Sequence, residues 1–268
     1  MEKILRIFLL IVGNIWMSKL SICIPTYEYK GKGVEFLSHL FSSIKRQTFK
    51  DYDVVVSDHS VDDNIFEFCK EQSEEIEIVY IRNEDGRGLA AANTNSALEF
   101  AEGEIIKLIY QDDMFVNDLA FEKIVNVFDN TNANWMMHGF THTSDGYETH
   151  RSCVPEWTDA MLEGRNLLGS PSCFVTRNEC KMFMDTELEL LIDTDLYHRM
   201  RMEHGIPIIL PDILIANREH NDRVSDLNSS LYDAYVEHPA GGWMVNRREL
   251  EYVLAKHGQE RHYPDEIN

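Results

Sequence analysis

The chain has 268 residues, 44% of them hydrophobic and 26% charged, enough for a large core and too ordinary a balance for a disordered, collagen-like or multi-span membrane protein. Its 46 acidic side chains against 25 Lys and Arg leave a formal charge of −21, a field that repels nucleic acid and anionic lipid. The five cysteines, at 23, 69, 153, 173 and 180, are odd in number and form no C-x-x-C pair, so neither a disulfide framework nor a zinc knuckle is indicated and a reducing, cytoplasmic compartment is expected.

Residues 4–17 (ILRIFLLIVGNIWM) are nearly all apolar but interrupted by Arg6 and Asn14, and the run falls short of the roughly 20 residues a bilayer span needs. Residues 1–16 are therefore read as an apolar extension, either upstream of a natural start at Met17 or making weak peripheral membrane contact at the inner face of a membrane.

From Leu20 the hydrophobic period alternates between strand-like runs and helical spacing. Strands are predicted at 20–24, 52–57, 76–81 and 104–110, with helices over 34–44, 63–73 and 89–101 between them. Four such alternations imply an α/β fold with an open, mostly parallel sheet flanked by helices. Further on the pattern predicts a helix to about Phe128, a strand at 134–140, a polar hairpin at 141–151, a strand at 172–176, a helix over 193–204 and an extended 206–216 broken by Pro211. The remainder after Ser225 reads as helical. With no repeat or linker, 17–225 is read as one domain (17–117, then 118–225 as its elaboration) with a C-terminal extension over 226–268.

Ligands of open α/β sheets bind beyond the carboxyl ends of the strands. Here those ends carry Pro25-Thr26-Tyr27, Asp58-His59-Ser60 with Asp62-Asp63, Arg82-Asn83 with Gly86 and Gly88, and Gln111-Asp112-Asp113. Two adjacent carboxylates after a buried strand are costly unless a cation or donor-rich partner balances them, and Mg2+ or Mn2+ with substrate phosphates would do so. A solvated turn capping the next helix is the plainer alternative.

SICIPTY (21–27), VVVSDHSVDD (54–63) and GLAAANTNSALEFAEGEIIKLIYQDD (88–113), with the later LGSPSCFVTR, LIDTDLYHRM and NREH segments, together resemble the family 2 glycosyltransferases of GT-A fold. The resemblance implies an inverting transferase that uses a nucleotide-diphosphate sugar, a UDP-sugar before a dTDP-sugar, with Mn2+ or Mg2+ and a glycan, polysaccharide or lipid-linked acceptor. It places Pro25, Thr26 and Tyr27 around the nucleoside and Asp58 on the base. It assigns Asp113 as the direct metal ligand, with Asp112 nearer the ribose or sugar, although the first Asp of the usual D-x-D is replaced by Tyr110 or Gln111. Where many relatives carry Ala-Arg-Asn this chain has Asn93-Thr94-Asn95, so diphosphate or base contacts fall to Arg82 or Arg87. Asp193 matches the catalytic carboxylate, with Asp195 its rival, and His220 matches a residue that completes the metal site or touches the diphosphate.

Other features carry less. His138 and His142, four apart on a strand, do not converge on one metal. Trp157 and Trp243 are candidate sugar platforms, Gly241-Gly242-Trp243 a candidate lid, and the acidic runs 71–77 and 185–189 solvated faces. A sugar nucleotidyltransferase, with Lys30 and Lys32 on a phosphate loop, and a non-catalytic sugar-nucleotide or glycan-binding module are the competing readings.

Overall fold

The computed structural model describes residues 6–10, 17–220, 235–237 and 244–259. Three parallel βα steps open the domain: β2 (Leu20–Thr26), α1 (Gly33–Lys45), β3 (Tyr52–Asp58), α2 (Asn64–Gln72), β4 (Ile78–Arg82), α3 (Ala90–Glu99) and β5 (Ile105–Leu108). Every residue of β2 and β5 is buried, as suits parallel strands covered on both faces. Phe36, Leu37, Leu40, Phe41 and Ile44 give α1 its inward stripe, the i, i+3, i+4 pattern of an amphipathic helix.

The second half adds β6 (Met114–Phe115), α4 (Ala120–Asn130), the β7–β8 hairpin (Trp135–Thr143, Thr149–Cys153), β9 (Phe174–Arg177), α5 (Ile192–His204) and β10 (Ile208–Arg218). All these strands join one sheet with a further edge strand, β1 (Arg6–Leu10), in the order β1-β4-β3-β2-β5-β9-β7-β10-β6, with β8 paired to β7. Pro211 does not end β10. The strand runs through it with register shifts between Leu210 and Ile215, where a bulge absorbs the missing donor.

Two expectations change. Residues Arg6–Leu10, expected to stand outside the domain, form β1, paired antiparallel with β4 at the sheet edge. The stretch after 225, expected to be helical, contains an antiparallel ribbon of β11 (Tyr235–Glu237) and β12 (Met244–Asn246) before the helix α6 (Arg247–Lys256). Trp243 and the adjacent glycine pair lie outside the described residues. No helix among the described residues is long and apolar enough to cross a membrane, and all five cysteines are free thiols.

Since β2 lies between β3 and β5, the chain leaves β2 toward β4 on one side and returns to lay β5 on the other. The carboxyl ends of β2 and β5 thus frame the point where strand order reverses, where open α/β sheets bind ligands.

Candidate active site

A cleft of about 640 Å3 opens at that point, with Pro25, Tyr27, Arg87, Asp112, Asp193 and His220 among its lining residues. Gln111 ties its two framing strands together, accepting from the Tyr27 backbone N–H at 2.9 Å and from the Thr26 hydroxyl. Tyr27 can turn sharply because Gly33 packs behind it; a Cβ at Gly33 would stand 2.8 Å from the Tyr27 carbonyl oxygen. Thr26 itself is fully buried and not among the lining residues, contrary to its expected place around the nucleoside; its hydroxyl and carbonyl are bonded to Gln111 and Asn93.

The Asn93-Thr94-Asn95 segment supplies ties, not charge. Asn93 donates to the Thr26 carbonyl (2.8 Å) and accepts from Ser57 (2.7 Å). Thr94 is buried against the Tyr110 hydroxyl (3.5 Å), and Asn95 bonds the Met184 backbone in both directions.

Asp58 is fully buried and does not line the cleft, contrary to its expected place on the base. One carboxylate oxygen accepts from the Ser60 N–H (2.7 Å) and the other from the Tyr80 hydroxyl (2.6 Å), with Arg82 3.7 Å away. Arg82 is likewise spent, donating to Tyr80, to the carbonyls of Ser60 and Asp62, and to Asp63. Together they lock the turn after β3. Of the two candidate arginines only Arg87 reaches the cleft, and Lys30 and Lys32 do not. The residue that does enter beside Arg87 is His59, which sequence reasoning noted without a role. The Gly88 N–H donates to its Nδ1 (3.3 Å) and its Nε2 lies 2.9 Å from Asn83 Nδ2. This bridge is open because Gly88 has φ +95°, a conformation glycine tolerates without strain. Burial pushes the His59 pKa down to about 4, so the ring is neutral at physiological pH.

The two adjacent aspartates have opposite environments. A turn closed by Asp113 N–H to the Tyr110 carbonyl (3.1 Å) points one inward and one outward. Asp113 is buried and accepts from the Arg218 N–H (3.0 Å) and from Asn217 Nδ2 (2.8 Å), both on the end of β10. Burial first, then the neighbouring Asp112 charge, pushes its pKa up to about 7. Asp112 keeps a quarter of its side chain exposed, 3.1 Å from His220 Nε2. Arg218 frames the pair, donating to the Asp112 carbonyl (3.0 Å), lying 5.0 Å above the Phe36 ring and reaching His39 (2.7 Å).

Among the described residues no group of three or more His, Cys, Asp or Glu could hold a metal, so a divalent cation held here by Asp112, with His220 beside it, would take its remaining ligands from phosphate oxygens and water, as Mg2+ does beside one or two carboxylates. His220 Nδ1 is buried with no hydrogen-bond partner, so the imidazole is held by the contact of its Nε2 with Asp112 and by packing against Tyr29 and Phe36.

Asp193 faces the same cleft from the first turn of α5. It accepts from Asn166 Nδ2 (2.7 Å) and from its neighbour's N–H, Thr194 (2.7 Å), yet burial still pushes its pKa up to about 6. The rival Asp195 is fully buried on the opposite side of the helix, against Arg199 and Lys256 (2.8 Å each) and His257 (2.9 Å). Burial alone would raise its pKa, but hydrogen bonds from Lys256 and His257 and the Arg199 charge hold it below the ordinary value. It has no opening to a substrate.

His142 lines the cleft; His138 is buried in the core, with its Nε2 2.9 Å from Lys107 Nζ. Trp157 lies away from the cleft, its N–H on Asp159 (3.2 Å) and Arg201 over its ring (5.6 Å).

A mixed sheet with its cleft at the β2–β5 reversal, an Asp–His pair on one wall and the Asp193 carboxylate on the other, has the architecture of the GT-A fold. The family model described as glycosyl transferase family 2 matches residues 21–186, well over half the chain. The chain belongs to that family. A curated relative, the GalNAc(5)-diNAcBac-PP-undecaprenol beta-1,3-glucosyltransferase of Campylobacter jejuni, is 32% identical over 98 residues, covering 36% of this chain and 30% of the relative. Among solved structures, S. aureus TarS 1–349 in complex with UDP-GlcNAc superposes with a TM-score of 0.62 at 18% identity, covering 88% of this chain and 64% of that one. The mannosyltransferase PcManGT of Pyrobaculum calidifontis, in complex with GDP-Man and Mn2+, does so at 0.55 and 14% identity, covering 77% and 59%. The chain therefore spans less than two thirds of each of these relatives.

Proposed function

We propose that this protein is an inverting, metal-dependent glycosyltransferase that moves a sugar from a UDP-sugar, or secondarily a dTDP-sugar, to a hydroxyl of a glycan, polysaccharide or lipid-linked acceptor. The observation that carries the reading is the pairing of Asp112 and His220 on one wall of the cleft with Asp193, its pKa raised to about 6, on the other. The UDP-GlcNAc and GDP-Man complexes of the structural neighbours and the lipid-linked substrate in the name of the C. jejuni relative support it.

Asp193 takes the proton of the acceptor hydroxyl as that oxygen attacks the anomeric carbon. The bond from that carbon to the diphosphate breaks on the opposite face, and the nucleoside diphosphate leaves with the electron pair. Asp112 and His220 would hold Mn2+ or Mg2+, which when bound supplies charge to stabilise the departing diphosphate. The geometry favours Asp112 over Asp113 for this contact, the reverse of the expectation from resemblance, because Asp113 is buried with each oxygen accepting from β10 while Asp112 keeps a quarter of its side chain exposed. Pro25 and Tyr27 cover the nucleoside, and Arg87 reaches the diphosphate or base.

Thermal unfolding of the full chain against UDP, GDP, CDP and dTDP, with and without Mn2+, tests this by linkage. A manganese-dependent rise with UDP that Asp112→Ala removes is the expected result. No rise with any nucleotide overturns the donor reading. UDP binding with no transfer or donor hydrolysis moves the protein to the binding-module class.

A further inference from the structure

The helix α6 lies beyond the family-matched residues, yet it grips the segment that carries Asp193. Glu249, a buried side chain of its first turn, accepts from three successive backbone N–H groups, those of Glu189 (3.0 Å), Leu190 (3.0 Å) and Leu191 (2.8 Å). These residues lead directly into α5, and Glu189, Leu190, Ile192 and Asp193 all line the cleft. The first N–H groups of a helix and its approach lack intrahelical partners and carry partial positive charge. Leu191, at the cap position of α5, makes no side-chain cap, and of the three donors only its own N–H belongs to the helix end, those of Glu189 and Leu190 preceding it. A carboxylate arriving from 58 to 60 residues away satisfies all three, through charge-assisted bonds of the stronger kind. Glu249 is fixed in turn by the Asn246 cap, whose side chain accepts from its N–H (3.1 Å). Farther along α6, Tyr252 and Lys256 hold Asp185 (2.9 and 2.5 Å), and Lys256 and His257 hold Asp195.

We propose that Glu249 is a positioning residue for the transfer reaction: it gathers the three N–H groups on the approach to α5 and holds residues 189–193 so that the Asp193 carboxylate faces the cleft. The inference rests on the reading of Asp193 as the base. It makes α6 part of the active-site scaffold, so that the tether, not the helix as a whole, sets the reaction geometry.

The test compares Glu249→Gln, Glu249→Ala, Tyr252→Phe and Asp193→Asn in the full chain. Gln keeps the shape but turns an NH2 toward at least one of the N–H donors. Both Glu249 variants are expected to speed amide exchange at 189–191. They should also lower kcat for UDP release from UDP-GlcNAc with Mn2+ by about 10- to 100-fold, the scale of a small misplacement, while the donor KM stays within about twofold. The acid limb of the kcat profile should move below its wild-type position, because a loosened loop admits water to Asp193. Tyr252→Phe loosens the same helix away from the loop; it should lower the melting temperature while keeping kcat and the limb. A folded Glu249→Ala chain with wild-type kcat and limb overturns the proposal, and so does a Tyr252→Phe chain that shows the same kinetic loss. Wild-type turnover in Asp193→Asn overturns the base assignment and with it the role of Glu249; a dead Asp193→Asn beside an unaffected Glu249→Ala rejects the tether alone.

Discussion

The two halves of the sheet secure their carboxylates by different means. In the first half, Asp58 is neutralised locally by Tyr80, Ser60 and Arg82, all within the neighbouring strand and turn. In the second half the stabilising partners come from far along the chain: Asp113 is satisfied from β10, about a hundred residues on, and the Asp193 loop from α6. Local anchoring fixes the end of β3 within its own turn; remote anchoring makes the cleft carboxylates depend on how the later elements dock.

The largest break in that comparison is expected at Asp112, the neighbour of Asp113 that stays part-exposed. Asp112→Ala should lower kcat by about 10³-fold or more, since it removes a cation ligand at the departing charge, and should abolish the manganese-dependent nucleotide shift. Retained manganese dependence in that variant would return the ligand role to Asp113.

On the opposite wall, Asp193→Asn should cost about 10²- to 10³-fold in kcat and leave UDP affinity unchanged, measured by calorimetry. The same group sets a pH dependence. The ionised form accepts the proton, and burial raises the folded pKa to about 6, so kcat should fall as pH drops through about 6. An acid limb near the ordinary carboxylate range would mean that another group is the base.

A smaller effect is expected at His59, which joins β3 to the loop bearing Arg87. His59→Ala should weaken UDP binding by about 10-fold, as loss of two hydrogen bonds of ordinary worth implies, with kcat nearly intact. His59→Asn, which keeps a donor and an acceptor, should recover part of it. An equal loss of kcat would put His59 on the reacting part of the donor.

The contrast also explains what could be read without coordinates. β2, β3 and β5 are apolar runs buried on both faces, a signal strong enough to place the cleft, and the residues at their carboxyl ends followed. The fate of Asp58 was encoded less openly: Tyr80 and Arg82 are two apart on β4, hence on one face, and Asp58 pairs in register with Arg82. The order of Asp112 and Asp113 was not legible, because the turn at Tyr110 ends the strand alternation that would have told inside from outside. Glu249 gave no local signal at all. The capping pattern that reveals a helix start spans three or four residues, and here the carboxylate that holds the approach to α5 arrives from another helix. Asp185, expected on a solvated face, is held by Tyr252 and Lys256 for the same reason.

The smallest expected effect lies at the opposite ends of the same parallel strands, away from the cleft. Asp53 opens β3 beside Ser21 of β2; it is 8% exposed, and its Oδ1 has no hydrogen-bond partner. Burial, reinforced by Glu77 and Glu102, pushes its pKa up to about 6. A carboxyl that holds its proton more tightly folded than unfolded adds stability below about pH 4 and loses it as pH rises through about 6. Asp53→Asn should therefore stabilise the protein by about 1–3 kcal/mol at pH 7.5, following the free energy of roughly two pKa units, and by little at pH 4. Urea unfolding at the two pH values checks it. Because Asp53 touches nothing in the cleft, UDP affinity and kcat should not move with it. A variant that gained stability and lost turnover would mean that the carboxyl end of β3 is less independent of its far end than its local anchoring implies.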